Sequence, residues 1–531
     1  MLQKVLGALP VTADFSRRLG IAEIIDTLCP MRDVARVTHG QVIEALIANR
    51  LTSPTSLVRV NEWAREWAVE EVYGFPAAAL GDDRIARALD AIVPELEHIV
   101  GSVGAAAIDV FGIDVTRLHW DMTSISLYGA YDDVDDTYPA PGYGHPKDRR
   151  TDLKQIQAGL AVTGDGGIPL WHNVYDGGAG EIAQVVEAMT RLQTMARRRD
   201  VLLVGDSKLI SYGNVSAMNT AAVQFIAPLG AARVPAGLYA SLDSAAAVLV
   251  DYVALRDKGK TPEQRGSYRV IEDVMDLAGP LKRDPVQACR RILVHSSGNA
   301  HAEAHNRAKK LDRARTDLDK LVRLAGSRYY PDSDAVVAKV ADIARSRRVK
   351  AYLRTTITVN TAGVPQLAWQ FDQAAIDAEA AADGWYALIT NIPAEQATAA
   401  DILIQYKGQA VVECRYGDIK GPLAVAPLFL HRNDRITALI TVICLALLIF
   451  SLIEREVRAN LAPDTEIVGF YTYDNRAVRP TGRLILNALA RMRIIPAHAN
   501  QPAQVIPPDY LQAQLLTLLR VDPTRSRWKT E

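Results

Sequence analysis

The sequence predicts an α/β protein in which an all-helical N-terminal domain precedes a mixed sheet. Up to about residue 112, apolar residues recur at helical spacing, with turn signals between the helices. After Gly112 the period becomes strand-like, because apolar and polar residues alternate over 116–122. Further on, residues 201–206 form a short apolar run ending in Asp206, as in a strand buried in a parallel sheet. The change of period therefore places a domain boundary between residues 112 and 113.

The N-terminal domain, residues 1–112, shows four predicted helices, over 14–28, 40–51, 57–69 and 83–100. Short helices in series are typical of a helix-turn-helix-like module that places one helix in the major groove of DNA. An ordinary helical packing domain would show the same pattern. Arg59 and Arg65 lie on the third helix, but the pattern does not indicate which helix would contact bases.

Composition limits the classes of protein to which this chain could belong. Its 531 residues suffice for several domains, and a formal net charge of −1 excludes a uniformly basic DNA-coating protein. Any contact with nucleic acid must come from local basic patches. The four cysteines have no paired spacing, and the N-terminus lacks a signal-peptide pattern, so we expect a reducing cytoplasm.

An uncharged apolar run at 436–453 is long enough to be a membrane-span candidate. The alternative is a fully buried helix of a large soluble core. We favour the buried helix, because Thr437, Thr441 and Ser451 interrupt the run and we find no second candidate span.

The predicted sheet brings two aspartates together. Strands over 156–163 and 168–175 follow the strand that carries Asp121, and a helix over 181–198 follows a glycine-rich turn. Asp206 then ends the next strand, and a fifth is expected over 222–229. This order matches the opening of a ribonuclease H-like fold, in which the first and fourth strands are neighbours. Since neighbouring strands lie roughly 4.8 Å apart, Asp121 and Asp206 could share metal ions.

A third acidic residue lies in a motif at 406–420. Tyr406, Gln409 and Glu413 are spaced three and four apart, so on one helix they would form a polar stripe, which Lys420 continues if the helix survives Gly417. A capping box at 398–401 supports a helix here. Taken alone, such a stripe is usually a solvated surface.

The stretch from Tyr406 to Lys420 resembles the Y-(2)-R-(3)-E-(6)-K motif of DDE transposases from bacterial insertion sequences. The resemblance implies that Glu413 is the third catalytic carboxylate beside Asp121 and Asp206, and that the three bind two Mg²⁺ or Mn²⁺ ions. It further implies that Tyr406 and Lys420 contact DNA phosphates. Gln409 stands where the family has arginine, and Lys208 is a weaker candidate for a phosphate contact.

The resemblance implies a transposase that cuts transposon ends and joins them to target DNA by two-metal phosphoryl transfer. Its partners would be double-stranded DNA, as inverted repeats and target, and a second copy of the chain in a paired-end homodimer. No membrane is expected, and the location would be a bacterial cytoplasm, at the nucleoid. A metal-dependent nuclease of the same fold and a catalytically impaired DNA-binding protein remain alternatives.

The ribonuclease H-like catalytic domain is expected in two parts, residues 113–229 and 394–461, because a long stretch separates Asp206 from Glu413. The insertion domain, residues 230–393, holds several predicted strands and a long helix, and its segment 290–350 is rich in basic residues that could attract a phosphate backbone. A solvated helix face would look the same. The C-terminal region, residues 462–531, has a predicted strand over 465–472 and is assigned to dimer contacts.

Overall fold

The computed structural model describes residues 3–31, 36–132, 134–146, 149–196, 201–254, 257–425, 428, 430–463, 465–471, 474–498 and 501–525. The chain divides into two compact units. One comprises Met1–Phe225 with Lys407–Glu531, and the other is Ile226–Tyr406. The second unit includes the segment that the sequence assigns to an insertion.

Helices dominate the N-terminal region, after the short strand β1 (Lys4–Val5). They are α1 (Leu9–Leu19), α2 (Ile21–Leu28), α3 (His39–Thr52), α4 (Val60–Glu66), α5 (Val69–Tyr73), α6 (Asp82–Ile92) and α7 (Leu96–Phe111). The single helix predicted over 14–28 is wrong, since Gly20 adopts a left-handed conformation with φ of 63° that ends α1. Thr38 and Gln41 form a capping box at the start of α3. Gly112, with φ of 57°, ends α7 where the sequence period changes.

Strands and two helices form the segment that the sequence predicts as the first part of the catalytic domain. These elements are β2 (Arg117–Leu127), β3 (Lys154–Thr163), β4 (Pro169–Tyr175), α8 (Glu181–Ala196), β5 (Leu202–Val204), α9 (Tyr212–Thr220) and β6 (Gln224–Pro228). The helix predicted over 181–198 thus begins as expected, while its last residues lie outside the described part of the chain.

The strand order of this part is β4-β3-β2-β5-β6. β2 pairs antiparallel with β3 and parallel with β5, in a register that sets His119 opposite Val204. The first and fourth strands of the domain are therefore neighbours, as the ribonuclease H-like fold requires. The predicted fold class is confirmed.

A close approach between two strands fixes the core beside the first aspartate. Trp120 is buried and its ring lies 5.5 Å from that of Trp171. A Cβ on Gly159 would lie 2.2 Å from the Trp120 ring, so only glycine fits at this position of β3. This contact holds β2, the strand that carries Asp121, in place against β3.

The second unit contains a sheet and a helical pair. Its elements are β7 (Val248–Val250), β8 (Tyr268–Leu277), β9 (Gln287–Ser296), α10 (Ser297–Leu324), α11 (Ser333–Ser346), β10 (Leu353–Val359), β11 (Pro365–Phe371), α12 (Gln373–Ala380) and β12 (Trp385–Thr390). β12 pairs antiparallel with β9 and with residues 226–228 of β6, and β9, β8 and β7 follow in antiparallel order. β10 and β11 form a separate hairpin.

The remaining elements are α13 (Ala399–Lys407), α14 (Ala410–Lys420), α15 (Asn433–Ala459), α16 (Gly482–Leu489), β13 (Arg493–Ile495), β14 (Gln504–Val505) and α17 (Tyr510–Leu519). The strand predicted over 465–472 is wrong in its described part, where Ile467 forms only an isolated bridge with Val478. Thr472 lies outside the described residues.

Within the described part of the chain, two helical segments are long and apolar enough to cross a membrane by length and composition, Asn433–Ala459 and Asp82–Phe111. The expectation of a single candidate is therefore wrong, because α6 and α7 together pass the same test at a lower hydropathy. The most apolar window of α15 is completely buried inside the protein, where α3, α6 and β4 pack against the helix. α15 thus has the environment of a core helix.

Candidate metal centre

Asp121 and Asp206 approach each other because of the parallel pairing of β2 with β5. His119 lies opposite Val204, Asp121 follows His119 by two residues on β2, and Asp206 follows Val204 by two residues, just beyond the end of β5. Each carboxylate is also fixed by a backbone amide, since Asp121 Oδ1 accepts from Met122 N and Asp206 Oδ1 accepts from Lys208 N, both at 2.8 Å. The two aspartates therefore share one edge of the sheet.

Glu181 completes a group of three carboxylates. Asp121, Glu181 and Asp206 each offer one oxygen, and these oxygens all lie within 4.8 Å of one another. Glu181 is the first residue of α8, and it is buried, as is Asp121. Three hard oxygen donors at this separation fit Mg²⁺ or Mn²⁺.

The electrostatics of the group show crowded negative charge. Burial raises the pKa of Glu181 to about 7, and the nearby carboxylates of Asp206 and Asp121 act in the same direction. Lys208 opposes them by donating from Nζ to Glu181 Oε2 at 2.8 Å. Burial alone would lower the pKa of Lys208, but the carboxylates of Glu181, Asp206 and Asp121 outweigh it and raise that pKa. Lys208 thus serves as the counter-ion of the group.

α14 is anchored against the strand that carries Asp121. The hydroxyl of Tyr416 donates to the backbone carbonyl of Asp121 at 2.5 Å, and Tyr416 is buried. Arg415 donates to the carbonyls of Gly166 and Gly167 in the turn between β3 and β4, and pairs with Glu454 of α15. These contacts fix the position of α14 against β2, the turn between β3 and β4, and α15.

The structure separates the residues of the predicted polar stripe. The prediction of one helix through Tyr406, Gln409 and Glu413 is wrong, because α13 ends at Lys407 and α14 begins at Ala410. The capping box between Thr398 and Asp401 is present at the start of α13. Gly408 and Gln409 form the break, since glycine disfavours a continuous helix.

Glu413 and Lys420 lie on α14, which continues through Gly417 to Lys420. Both side chains are exposed. Among the described residues, Glu413 is not part of a three-residue group with the spacing of a metal site. It precedes Tyr416 by three residues, which is less than one helical turn.

Comparison with known protein families shows to which family the chain belongs. Residues 107–449 match the family model described as "Transposase DDE domain", which covers more than half of the chain. The chain belongs to this transposase family. It is therefore an enzyme of DNA cleavage and strand transfer, and the predicted identity and activity are confirmed. Residues 2–99 of the transposase match a domain of unknown function, DUF4277.

Solved transposase structures include similar chains. A piggyBac transposase synaptic complex with hairpin DNA has 8% identity and a TM-score of 0.37, over 96% of this chain and 81% of that chain. Two Mos1 transposase structures, a paired-end complex with the left transposon end and a pre-cleavage transpososome, have 11% and 9% identity, each with a TM-score of 0.15 over 37% of this chain. This chain spans 60% and 61% of the respective Mos1 chains. No curated protein matches the transposase. At these TM-scores the likenesses add no argument, so the assignment rests on the family model.

Glu181 is not among the site residues predicted from the sequence, in which residue 181 marks only the start of a helix after a glycine-rich turn. The sequence does contain one indication of a role for Glu181. An acidic residue at the start of a helix that follows a strand can lie at the same edge of the sheet as the two predicted aspartates. Only the fold, however, reveals that α8 begins at that edge.

Proposed function

We propose that Asp121, Asp206 and Glu181 bind the divalent metal with which this transposase cuts and joins DNA. The observation that supports this most directly is the convergence of the three carboxylates to within 4.8 Å. Like-charged groups at this distance are unfavourable unless a cation compensates them. In this structure Lys208 compensates only in part, because the pKa of Glu181 is still raised.

We propose that Glu413 is a fourth carboxylate of the same centre. The family motif gives it the role of the third catalytic acid, and Tyr416, on the same helix, contacts Asp121 directly. Four carboxylates would supply two Mg²⁺ or Mn²⁺ ions with more oxygen ligands than three carboxylates would. In that arrangement Glu181 and Glu413 would approach the two aspartates from different helices, α8 and α14.

When bound, the ions would activate a water or a 3′-hydroxyl and stabilise the leaving oxygen at phosphorus. The chain itself would position the DNA strand. Lys420 and Lys208 carry the positive charge for phosphate contacts, while Tyr406 and Gln409 would donate neutral hydrogen bonds. Lys208 would have two roles, as the partner of Glu181 without metal and as a phosphate contact with metal.

The transposase would bind its transposon ends and target as double-stranded DNA, and would pair two ends in a homodimer. We assign end binding to the helical residues 1–112, a further contact with the transposon end to the insertion at 230–393, and dimer contacts to 462–531. Such a protein would act at the bacterial nucleoid, without a membrane. Gel filtration of the complex with the element's ends would give the number of chains per pair of ends.

The test is cleavage of a labelled duplex that carries the element's own ends, with Mg²⁺ or Mn²⁺. Asp121→Asn, Asp206→Asn, Glu181→Gln and Glu413→Gln should each abolish nicking while duplex binding persists. Mn²⁺ titration followed by electron paramagnetic resonance measures the ions bound per chain independently of activity. Glu187→Gln, which removes an exposed glutamate from the same helix α8, is the matched control and should change neither measurement.

Each outcome assigns a role. If Glu181→Gln cuts normally and binds the wild-type number of Mn²⁺ ions, Glu181 is not a ligand and Glu413 alone is the third carboxylate. If Glu413→Gln instead cuts normally and binds the wild-type number of Mn²⁺ ions, Glu181 is the third carboxylate, the role that the family motif gives to Glu413. Products joined to target DNA would distinguish the transposase from a nuclease that stops after cleavage.

A further inference from the structure

A cavity beside the N-terminal helices is lined by a buried arginine. The cavity has a volume of about 990 Å³ and is lined by residues of α3, the segment 54–59, α6, and the segment 424–439 that leads into α15. This volume falls within the usual range of ligand sites, roughly 300–1,000 Å³. All of these residues belong to the first compact unit.

Arg50, on α3, lines this cavity with only 7% of its surface exposed. Among the described residues, its side chain makes one hydrogen bond, a long contact of 3.5 Å from Nη1 to the carbonyl oxygen of Ala424, and pairs with no carboxylate. Burial lowers the pKa of Arg50 to about 10, which expresses the cost of keeping its charge away from water. A buried guanidinium without a carboxylate partner is energetically unfavourable unless another anion meets it.

The charge around the cavity also favours an anion. Arg59, His431, Arg432 and Arg435 line it together with Arg50, whereas Asp82 is the one acidic residue of the lining. Arg435 is matched by Asp90 and Arg432 by Asp434, so these two arginines are already neutralised. The charged residues that remain in the lining are the buried Arg50, the exposed Arg59 and Asp82, so two cations stand against one carboxylate.

The rest of the wall is apolar. Leu57, Leu89, Leu428, Leu430 and Leu439 line the cavity between the charged side chains. Such a wall suits the sugar ring of a nucleotide better than a hydrated inorganic ion. Arginine also matches the geometry of a phosphate oxygen pair through two parallel N–H groups.

We propose that this cavity binds a phosphate group of a DNA strand, with Arg50 as the deep anion contact, Arg59 at the entrance, and the leucine wall against the adjoining deoxyribose. The proposal rests on the assignment of the chain as a transposase that acts on DNA. It adds a site that is separate from the carboxylate centre. It also gives the helical region a defined contact with the DNA backbone.

The experiment measures binding of a labelled duplex by fluorescence anisotropy, with full-length protein in EDTA so that no cleavage occurs, over a series of salt concentrations. Arg50→Met should weaken duplex binding about 10-fold and reduce the salt slope by about one. Arg491→Met, which removes an exposed arginine away from the cavity, is the control and should change binding only slightly. Thermal melting of each variant verifies the fold.

A second pair of variants keeps the test decisive if Arg50→Met does not fold. Ala86 lies on α6 and lines the cavity, so Ala86→Glu would place a carboxylate there that neutralises Arg50 and excludes a phosphate. We expect Ala86→Glu to raise the melting temperature and weaken duplex binding, while the uncharged Ala86→Gln does neither. Normal duplex binding by folded Arg50→Met, or by Ala86→Glu, would overturn the proposal.

Inorganic phosphate distinguishes a DNA site from a site for a free anion. If phosphate alone stabilises the wild type against heat and Arg50→Met removes that effect without weakening duplex binding, the occupant is a free anion and the DNA proposal is wrong. Mn²⁺ binding at the carboxylates is measured separately and should be unchanged in Arg50→Met. A failure of the metal centre and a failure of this phosphate site therefore give different results.

Discussion

The hydroxyl of Tyr416 donates a hydrogen bond of 2.5 Å to the backbone carbonyl of Asp121, and so joins the helix of the family motif to the first catalytic strand. Burial, followed by the charge of Asp121, raises the pKa of Tyr416 well above its ordinary value, so the phenol remains a donor at any working pH. Tyr416→Phe keeps the ring and removes this donor. We expect a loss of about 1–2 kcal/mol in the free energy of unfolding, because a buried carbonyl loses a partner. Urea denaturation measures it, and Tyr510→Phe, at a highly exposed tyrosine, is the control that should show no change.

The stability of the metal-free protein should depend on pH through Glu181. Its pKa is raised from 4.5 in the unfolded chain to about 7 in the folded protein. Between these values the folded state binds more protons, so this contribution to stability is complete below pH 4.5 and is lost as pH rises through 7. The loss would be on the order of 3 kcal/mol, and Glu181→Gln should abolish it. Chemical denaturation in EDTA across pH 4.5–8 measures the effect, and an unchanged pH profile in Glu181→Gln would contradict it.

The buried histidine of the first catalytic strand should make the protein sensitive to acid. Burial, with a smaller effect of Arg117, lowers the pKa of His119 to about 4, and neither ring nitrogen has a hydrogen-bond partner among the described residues. The unfolded chain binds a proton near pH 6.5, so stability falls as pH drops from 6.5 towards 4. The free energy of unfolding of His119→Leu, relative to that of the wild type, should therefore be about 2 kcal/mol higher at pH 5 than at pH 8. His98→Leu, at an exposed histidine, should show no such gain in the same unfolding measurements.

The glycine that faces Trp120 should tolerate no side chain. Gly159→Ala would place a methyl group 2.2 Å from the Trp120 ring and 3.0 Å from that of Tyr175, and should destabilise the protein by about 2 kcal/mol or more. Gly101→Ala is the opposite case, because Gly101 lies within α7 and its Cβ would meet no atom within 4 Å. The free energy of unfolding of that variant should rise by about 0.5–1 kcal/mol. Thermal melting of the two variants compares the effects, and equal shifts would mean that strand packing beside Asp121 is looser than the structure shows.

Local pattern was sufficient to predict the catalytic sheet. The alternation around Asp121, the glycine-rich turn and the apolar run before Asp206 depend on residues close in sequence, and each corresponds to a strand or turn of the structure. The parallel neighbour relation of β2 and β5 followed from the order of elements. Two of the errors, at Gly20 and at Gly408, are places where a helical period continues across a break, because the period of apolar residues does not detect a change of backbone direction at a single residue.

The amino-acid sequence by itself determined the family, the ribonuclease H-like order of strands and the two aspartates, because motif spacing and hydrophobic period are local properties of the chain. Tertiary structure decided which carboxylates can approach them, since Glu181 and Glu413 lie 60 and 292 residues from Asp121 along the chain and their distances depend on where α8 and α14 dock. It also decided that Arg50 is a buried cation, because its surroundings come from four separate segments. Burial and charge are properties of the assembled neighbours, and no single stretch of sequence contains them.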